Sequence, residues 1–342
     1  MSAELILILT PILVTMGISL AFAIGANDET LAALVGTNIL KFKVALICGG
    51  AAAGIGMIFL SQGVGETVGA NILGPGIKYT SFMLLAVLIS SIVWLIIGSL
   101  AGIPLSSTHS TVGSIFGVLI IFSIFQGGVD PATALNYEKL REVVIGWFLS
   151  PLMGLIVTYL VFLLLAKLYL SKLKGLNEIE KSEKKFGYLL FFAVIFAEIW
   201  VGANSAECIG IFYGLYFSGF LNTFQYYLFV VLCGLFVFFG IYFAGRFVIK
   251  NLASQMTDAR PSEGFIIQLS SSVVLMIATL LSLPISHSHV IVFCIIGMNM
   301  AQKKELDSKS IGKMAVYWVL TFPIAAIFAG IIYYGFLSFG LY

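Results

Sequence analysis

The chain has 342 residues, of which 60% are hydrophobic and only 10% are charged. An ordinary soluble domain carries about 25% charged residues, so this composition excludes a water-soluble globule. The formal net charge of +2 is too small to indicate a protein that binds nucleic acid.

Long apolar runs recur along the chain, and several approach the roughly 20 residues that cross a hydrocarbon core about 30 Å thick. The eight long runs are Leu5–Ile24, Val44–Leu60, Phe82–Leu100, Val143–Ala166, Gly187–Val201, Tyr226–Ala244, Phe265–Leu283 and Ala315–Tyr334. Two shorter runs, Thr111–Phe125 and Val290–Met300, are predicted to be partial or broken spans. No Lys or Arg precedes the first run, so we expect a retained helix rather than a cleaved signal peptide. The sequence thus predicts an all-α, polytopic integral membrane protein.

The first run ends in a polar phrase, Gly25-Ala26-Asn27-Asp28, which is followed by Glu29. Gly25 favours a helix break, which would free backbone N–H and C=O groups to face a cavity. A charge at the bilayer centre costs at least about 2.5 kcal/mol, so Asp28 and Glu29 are expected to face a cavity or a partner. The alternative is that both side chains lie at a membrane boundary and reach water.

A second polar phrase, Pro104–His109, combines a proline with three hydroxyl side chains and a histidine. Proline followed by Ser or Thr is typical of a helix start, because a hydroxyl can cap the first turn. A hydroxyl-rich helix N-terminus with unpaired N–H groups is also a natural place for an anion. Capping alone is the simpler interpretation of one such phrase.

Both phrases recur in the same order. Gly202-Ala203-Asn204-Ser205 repeats the first at an offset of 177 residues, and Pro284–His289 repeats the second at an offset of 180. This recurrence indicates a duplicated unit of about five membrane segments with broken helices at the centre. Since five crossings is an odd number, the second copy would be inserted upside down, as an inverted-topology repeat. We predict a first repeat over residues 1–170, a cytoplasmic connector over 171–186 and a second repeat over 187–342.

The basic residues predict the orientation of this repeat. If the predicted crossings alternate, all but three of the 18 Lys and Arg residues fall on one side, and the exceptions are Lys78, Lys139 and Arg141. By the positive-inside rule the Lys- and Arg-rich side is cytoplasmic, which places both termini outside the cell membrane.

Together the four phrases resemble those of the inorganic phosphate transporter (PiT) family of secondary symporters, which carries a G-A-N-D signature and a P-x-S-T-T-H-like phrase in each inverted half. The resemblance runs over roughly residues 5 to 335. It implies broken helices around a central oxyanion, cation coupling and often a homodimer. The chain departs from the family pattern at Leu31, Ser205, Cys208 and His287. Because Ser205 stands where the family has Asp, coupling to Na⁺ and coupling to H⁺ both remain open.

From the residues and the resemblance we predict three groups of site residues. The anion would be bound by Asn27, Ser106, Ser107, Thr108, Asn204, Ser286 and Ser288. The coupling cation would involve Asp28, Asn27, Asn204, Ser205 and Glu207, with Asp28 as the ligand of Na⁺ if sodium is the coupling ion. Glu207 is favoured over Glu198 because it lies closer in sequence to the second phrase. The three histidines, His109, His287 and His289, are assigned proton or structural roles.

Phosphate is the preferred anion, because at neutral pH it still carries a proton that it can donate to Asp28, whereas sulfate only accepts hydrogen bonds. A sulfate permease of the same family is the alternative, and a passive anion channel is a more distant one. No nucleophile elbow, HExxH helix or P-loop is present in the sequence, so we do not expect an enzyme. No cofactor is expected beyond the coupling ion, Na⁺ or H⁺, and the predicted location is the plasma membrane.

Overall fold

The computed structural model describes residues 3–37, 39–101, 105–125, 130–255, 260–305 and 308–341. Pro104, the first residue of one predicted phrase, lies outside them. Helices make up most of the described chain, and within it only Leu73 and Leu135 pair as an isolated β-bridge. The prediction of an all-α protein is confirmed.

Fifteen α-helices follow one another along the described chain. The first eight are α1 (Ala3–Ala26), α2 (Ala32–Gly36), α3 (Phe42–Leu60), α4 (Gln62–Glu66), α5 (Ser81–Ala101), α6 (Ser107–Phe125), α7 (Pro131–Ala134) and α8 (Tyr137–Leu168). The next seven are α9 (Leu176–Asn204), α10 (Glu207–Phe217), α11 (Thr223–Gly240), α12 (Arg246–Gln255), α13 (Pro261–Leu280), α14 (His287–Gln302) and α15 (Ser308–Ser338). Two π-helical segments, Thr67–Asn71 and Ile241–Gly245, extend α4 and join α11 to α12.

Nine helical stretches of the described chain are long and apolar enough to cross a membrane. They include all eight predicted long runs and also α6, which spans 19 residues because its hydroxyl-rich first turn is helical. The prediction that the segment after the first Pro-Ser phrase is a partial span is therefore wrong for α6. Its counterpart α14 has only 16 residues and is shorter than the other spans.

The helices break at the G-A-N phrases. α1 ends at Ala26 and α2 begins at Ala32, while α9 ends at Asn204 and α10 begins at Glu207. Gly25 itself lies inside α1, where a Cβ atom would collide with the carbonyl oxygen of Val237 on α11. Gly202 meets the carbonyl oxygen of Ala53 on α3 in the same way. These glycines therefore permit close helix packing, and the break follows a few residues later.

Helix contacts recur at the spacing of the repeated phrases. The pairs α1–α11 and α9–α3 correspond, as do α6–α15 and α14–α8, and α5–α15 and α13–α8. At residue level, Gly117 on α6 packs on the carbonyl of Ala326, and Gly297 on α14 packs on the carbonyl of Leu155. Since each contact joins a helix that ends by Leu168 to one that begins at or after Leu176, the interlocked helices bring the described residues of all four phrases to the interior.

The predicted connector over 171–186 is mostly helical, because α9 already begins at Leu176. Glu183 on this part of α9 accepts hydrogen bonds from the backbone N–H of Ser262 at 3.0 Å and from its hydroxyl at 2.8 Å. A carboxylate at the first turn of α13 also complements the positive end of the helix dipole. The charged stretch thus anchors α9 to the start of α13.

Candidate functional site: a polar cavity between two helix N-termini

A cavity in the interior is lined by residues of all four phrases. Its polar lining consists of Asn27, Asp28, Glu29, Ser106, Ser107, Ser205, Ser286, His287 and Ser288. Apolar side chains of α1, α3, α9 and α11 complete the wall. The structure thus brings most of the predicted site residues together, although they lie up to 261 positions apart in the sequence.

The N-termini of α6 and α14 both reach this cavity, since α6 begins at Ser107 and α14 begins at His287. Ser106 caps α6, because its hydroxyl oxygen accepts the backbone N–H of His109 at 3.2 Å. Ser286 precedes α14 without such a bond, and its buried hydroxyl has no hydrogen-bond partner among the described residues. Capping therefore accounts for one copy of the phrase and leaves the other hydroxyl available to a ligand.

The two asparagines tie each G-A-N phrase to the chain just before a Pro-Ser helix. Asn27 donates its amide hydrogen to the carbonyl oxygen of Leu105 at 2.8 Å and lines the cavity. Asn204 accepts the N–H of Ile285 at 3.0 Å and donates to the carbonyl oxygen of Leu283 and to the hydroxyl of Thr279, both at 3.0 Å. Because these bonds use both ends of its amide, Asn204 lies behind the cavity wall rather than on it.

Glu207 and Thr108 are also placed behind the wall, where they bond to each other. The hydroxyls of Thr108 and Ser107 donate to Oε1 of Glu207 at 2.6 and 3.0 Å. Thr108 is also 3.2 Å from the carbonyl oxygen of Ile285. Glu207 therefore links the first turn of α10 to the first turn of α6, and of these three residues only Ser107 reaches the cavity.

A second group of acids lies on the other side of the cavity. Asp28 accepts two hydrogen bonds from Thr30 at Oδ1, from the backbone N–H at 2.9 Å and from the hydroxyl at 2.6 Å. Nδ1 of His287 is 3.6 Å from Oε1 of Glu29, and Ser288 is also close to that carboxylate. Ligand atoms of Asp28, Glu29 and His287 all lie within 4.8 Å of one another.

Glu198, which the sequence interpretation ranked below Glu207, lies beside this acidic group. It is fully buried, lies next to Asp28 and Glu29, and neither of its carboxylate oxygens has a hydrogen-bond partner within the described chain. The sequence interpretation ranked acids by distance along the chain and ignored the helix face. Three cavity-lining residues follow Glu198 at spacings of three, four and seven positions, namely Val201, Gly202 and Ser205. Such spacings are typical of one helix face, so Glu198 lies in line with them.

The three histidines separate into two environments. His287 lines the cavity, whereas His109 and His289 stack on each other with ring centroids 4.7 Å apart. Trp147 covers His109 at 3.9 Å, and Trp318 covers His289 at 4.1 Å. The resulting stack of four rings joins α8, α6, α14 and α15, which gives His109 and His289 a packing role beside the site.

The fold and this cavity define a polytopic α-helical membrane protein of the transporter class, with helix N-termini, hydroxyls and buried acids facing one interior site. The sequence model of the Phosphate transporter family matches residues 24–329. The chain therefore belongs to that family, and the resemblance stated from its motifs is confirmed.

Similar proteins cover nearly the whole chain. A putative phosphate permease of Pyrococcus furiosus is 28% identical, with 97% of each chain covered. A probable low-affinity inorganic phosphate transporter of Rhizobium meliloti is 27% identical and covers 94% of this chain and 95% of its own. A solved structure entitled "The sodium-dependent phosphate transporter" superposes with a TM-score of 0.84 at 20% identity, over 97% of this chain and 99% of that one. At that identity the superposition shows a shared fold.

Proposed function

We propose that this protein is a secondary active transporter that imports inorganic phosphate across the plasma membrane together with a cation, Na⁺ or H⁺. Membership of the Phosphate transporter family and the names of its relatives support phosphate as the substrate. The observation that carries the proposal is the convergence of two helix N-termini, with four serines of the two Pro-Ser phrases, on one interior cavity.

The anion is held between the first turns of α6 and α14. Ser106 and Ser107 approach it from one phrase, and Ser286 and Ser288 from the other. The positive ends of both helix dipoles favour an oxyanion at this position. Asn27, Asn204 and Thr108 act mainly through their hydrogen bonds, which hold the phrases in place around the anion.

The coupling cation is held on the acidic side, at Asp28. Buried carboxylates repel a phosphate anion unless their charge is balanced, so a bound cation strengthens anion binding, and by linkage the anion strengthens cation binding. The name of the structural neighbour supports Na⁺, whereas Ser205 in place of a second Asp supports H⁺.

Alternating access follows from two inverted halves that rock around the central site. The recurrence of helix contacts, with α1–α11 matching α9–α3, supports this arrangement. The distribution of Lys and Arg supports a cytoplasmic connector and termini on the outer side of the membrane.

Uptake of radiolabelled phosphate and sulfate into proteoliposomes, with Na⁺ and pH gradients imposed separately, tests the proposal. Phosphate should accumulate above its external concentration only when a cation gradient is present. Equal accumulation of sulfate would identify a less selective permease. Equilibration without accumulation under every gradient would identify a passive anion channel and contradict symport.

A further inference from the structure

We propose that Asp28, Glu29 and His287 form a binding site for a divalent transition-metal ion, of the class of Zn²⁺ or Co²⁺, at the wall of the central cavity. The three side chains offer two carboxylates and one imidazole, and ligand atoms from all three lie within 4.8 Å of one another. All three residues line the cavity, so an ion can reach them from it.

The separation between His287 and Glu29 is the first argument. Nδ1 of His287 is 3.6 Å from Oε1 of Glu29, which is longer than the about 2.7–3.2 Å of a hydrogen bond between N and O. Two ligands at about 2.1 Å from a shared zinc ion lie 3.6 Å apart when the angle at the metal is about 118°, near the tetrahedral value. The pair is therefore spaced as two ligands of one ion.

An unpartnered atom is the second argument. Glu29 is 6% exposed and His287 is 9% exposed. Among the described residues, Oε1 of Glu29, the carboxylate oxygen nearest Nδ1 of His287, has no hydrogen-bond partner. A buried polar atom without a partner is destabilising, and more so if it is charged, so an ion bound to Oε1 of Glu29 removes a real penalty.

Asp28 completes the set and is already oriented. Both hydrogen bonds from Thr30 go to Oδ1, which fixes the plane of the carboxylate in the way that outer-shell partners orient metal ligands. Two ligand atoms at about 2.1 Å from a tetrahedral zinc ion lie about 3.4 Å apart, so a movement of up to about 1.4 Å would bring all three ligand atoms, now within 4.8 Å, around one ion. The fourth coordination position would face the cavity and take water.

The ligand types select the metal. Na⁺, Ca²⁺ and Mg²⁺ take oxygen ligands, whereas imidazole suits Zn²⁺ and its first-row neighbours. His287 occupies the position that Ser107 occupies in the other copy, so the imidazole is present on only one side of the cavity. A divalent ion would also balance the two carboxylates, which matters in a site removed from water.

The site has a consequence for transport that rests on the proposed function. Asp28 is the proposed ligand of the coupling cation, so a bound transition-metal ion would occupy that position. We therefore expect Zn²⁺ at concentrations on the order of 1 μM to inhibit phosphate uptake by competing with the coupling cation. Binding of the metal ion itself does not depend on the transport proposal.

Titration of the purified, full-length protein with Co²⁺ tests the site, because tetrahedral cobalt has strong visible absorption bands that aqueous cobalt lacks. We expect one tetrahedral ion per chain, displaced by Zn²⁺ and not by excess Na⁺. His287→Ser, which introduces the residue of the other copy, and Glu29→Gln should each weaken binding by at least about tenfold. Glu207→Gln removes a buried acid outside the cluster and should bind cobalt as the parent protein does.

Two results would overturn the site: only octahedral cobalt in the unmodified protein, or unchanged affinity in both His287→Ser and Glu29→Gln. Size-exclusion profiles of each variant identify one that has failed to fold, and the cobalt affinity of the other variant then decides.

In proteoliposomes, Zn²⁺ should inhibit the unmodified protein and spare the remaining uptake of His287→Ser. Tetrahedral cobalt binding without inhibition would retain the metal site and reject its link to coupling. Absence of phosphate uptake altogether would reject the proposed function while leaving the binding result intact.

Discussion

The two Pro-Ser phrases have corresponding places in the fold but different acidic partners. Ser107 and Thr108 at the start of α6 both donate hydrogen bonds to Glu207, so one oxygen of that acid is well satisfied. At the start of α14 the corresponding positions are His287 and Ser288, which face Glu29. There Oε1 of Glu29 has no hydrogen-bond partner in the described chain.

The difference extends beyond these contacts. Asp28 and Glu198 crowd Glu29, whereas the residues that match them in the other copy are Ser205 and Ala21. One side of the cavity therefore carries three buried acids, and the other carries one acid already bonded to two hydroxyls. The cavity thus has an acidic side, where α14 begins, and a hydroxyl-rich side, where α6 begins, and the proposed anion lies between them. The following experiments test how far the two sides differ in chemistry and in helix packing.

Asp28→Asn should have the largest effect. The amide keeps the shape of the side chain and loses the charge that holds the coupling cation. We expect phosphate uptake driven by a cation gradient to fall to the level of empty liposomes, with thermal stability unchanged. Glu142→Gln, which alters an exposed acid paired with Lys139, is the control and should transport normally. Uptake by Asp28→Asn at the unmodified rate would remove Asp28 from the mechanism.

Paired glycine variants test whether the two copies pack alike. A Cβ at Gly117 or Gly297 would meet a backbone carbonyl of the opposing helix, so each change to Ala forces the helices apart. We expect each to lower the free energy of unfolding by about 1–3 kcal/mol. Gly335→Ala, where a Cβ has no neighbour within 4 Å, should cost nothing in the same denaturation assay. A large cost at one site and none at the other would show that the copies are packed differently.

The sequence predicted the membrane class, the helices and the meeting of the four phrases, because apolar length and repeated polar phrases are local signals. It did not predict which side chains reach the cavity. Asn204 does not line the cavity, and its amide is hydrogen-bonded to the N–H of Ile285 and the carbonyl oxygen of Leu283. The conformation of that loop is a tertiary property, which the sequence pattern does not give. The position of Glu198 beside Asp28 depends on helix register, which distance along the chain does not reveal but its spacing from Val201 indicates.

Glu198→Gln sharpens the assignment of the acidic side. The amide removes a carboxyl group that can ionise to balance a cation bound beside it at Asp28, and we expect about a tenfold loss of apparent cation affinity, equivalent to about 1.4 kcal/mol. The KM for phosphate at saturating cation should change little. Glu66→Gln, which alters an acid bonded to Gln62 outside the cluster, provides the matched control. An equal change in both parameters would show that Glu198 acts on the whole cavity.

Glu207→Gln tests the hydroxyl-rich side and should have the smallest effect. A hydrogen bond to a charged group contributes about 1.5–3 kcal/mol and a neutral one about 1, so the hydroxyls of Ser107 and Thr108 would be held less firmly. A loss of about 1 kcal/mol raises the KM for phosphate about fivefold. Because Glu207 acts through the hydroxyls, the cation dependence of uptake should stay as it is.

Thr108→Ser keeps a hydroxyl and should behave normally, whereas Thr108→Val should raise the KM in the same direction as Glu207→Gln. If Glu207→Gln instead shifts the cation affinity and leaves the KM for phosphate unchanged, both acids serve the cation, and the two sides of the cavity are not specialised.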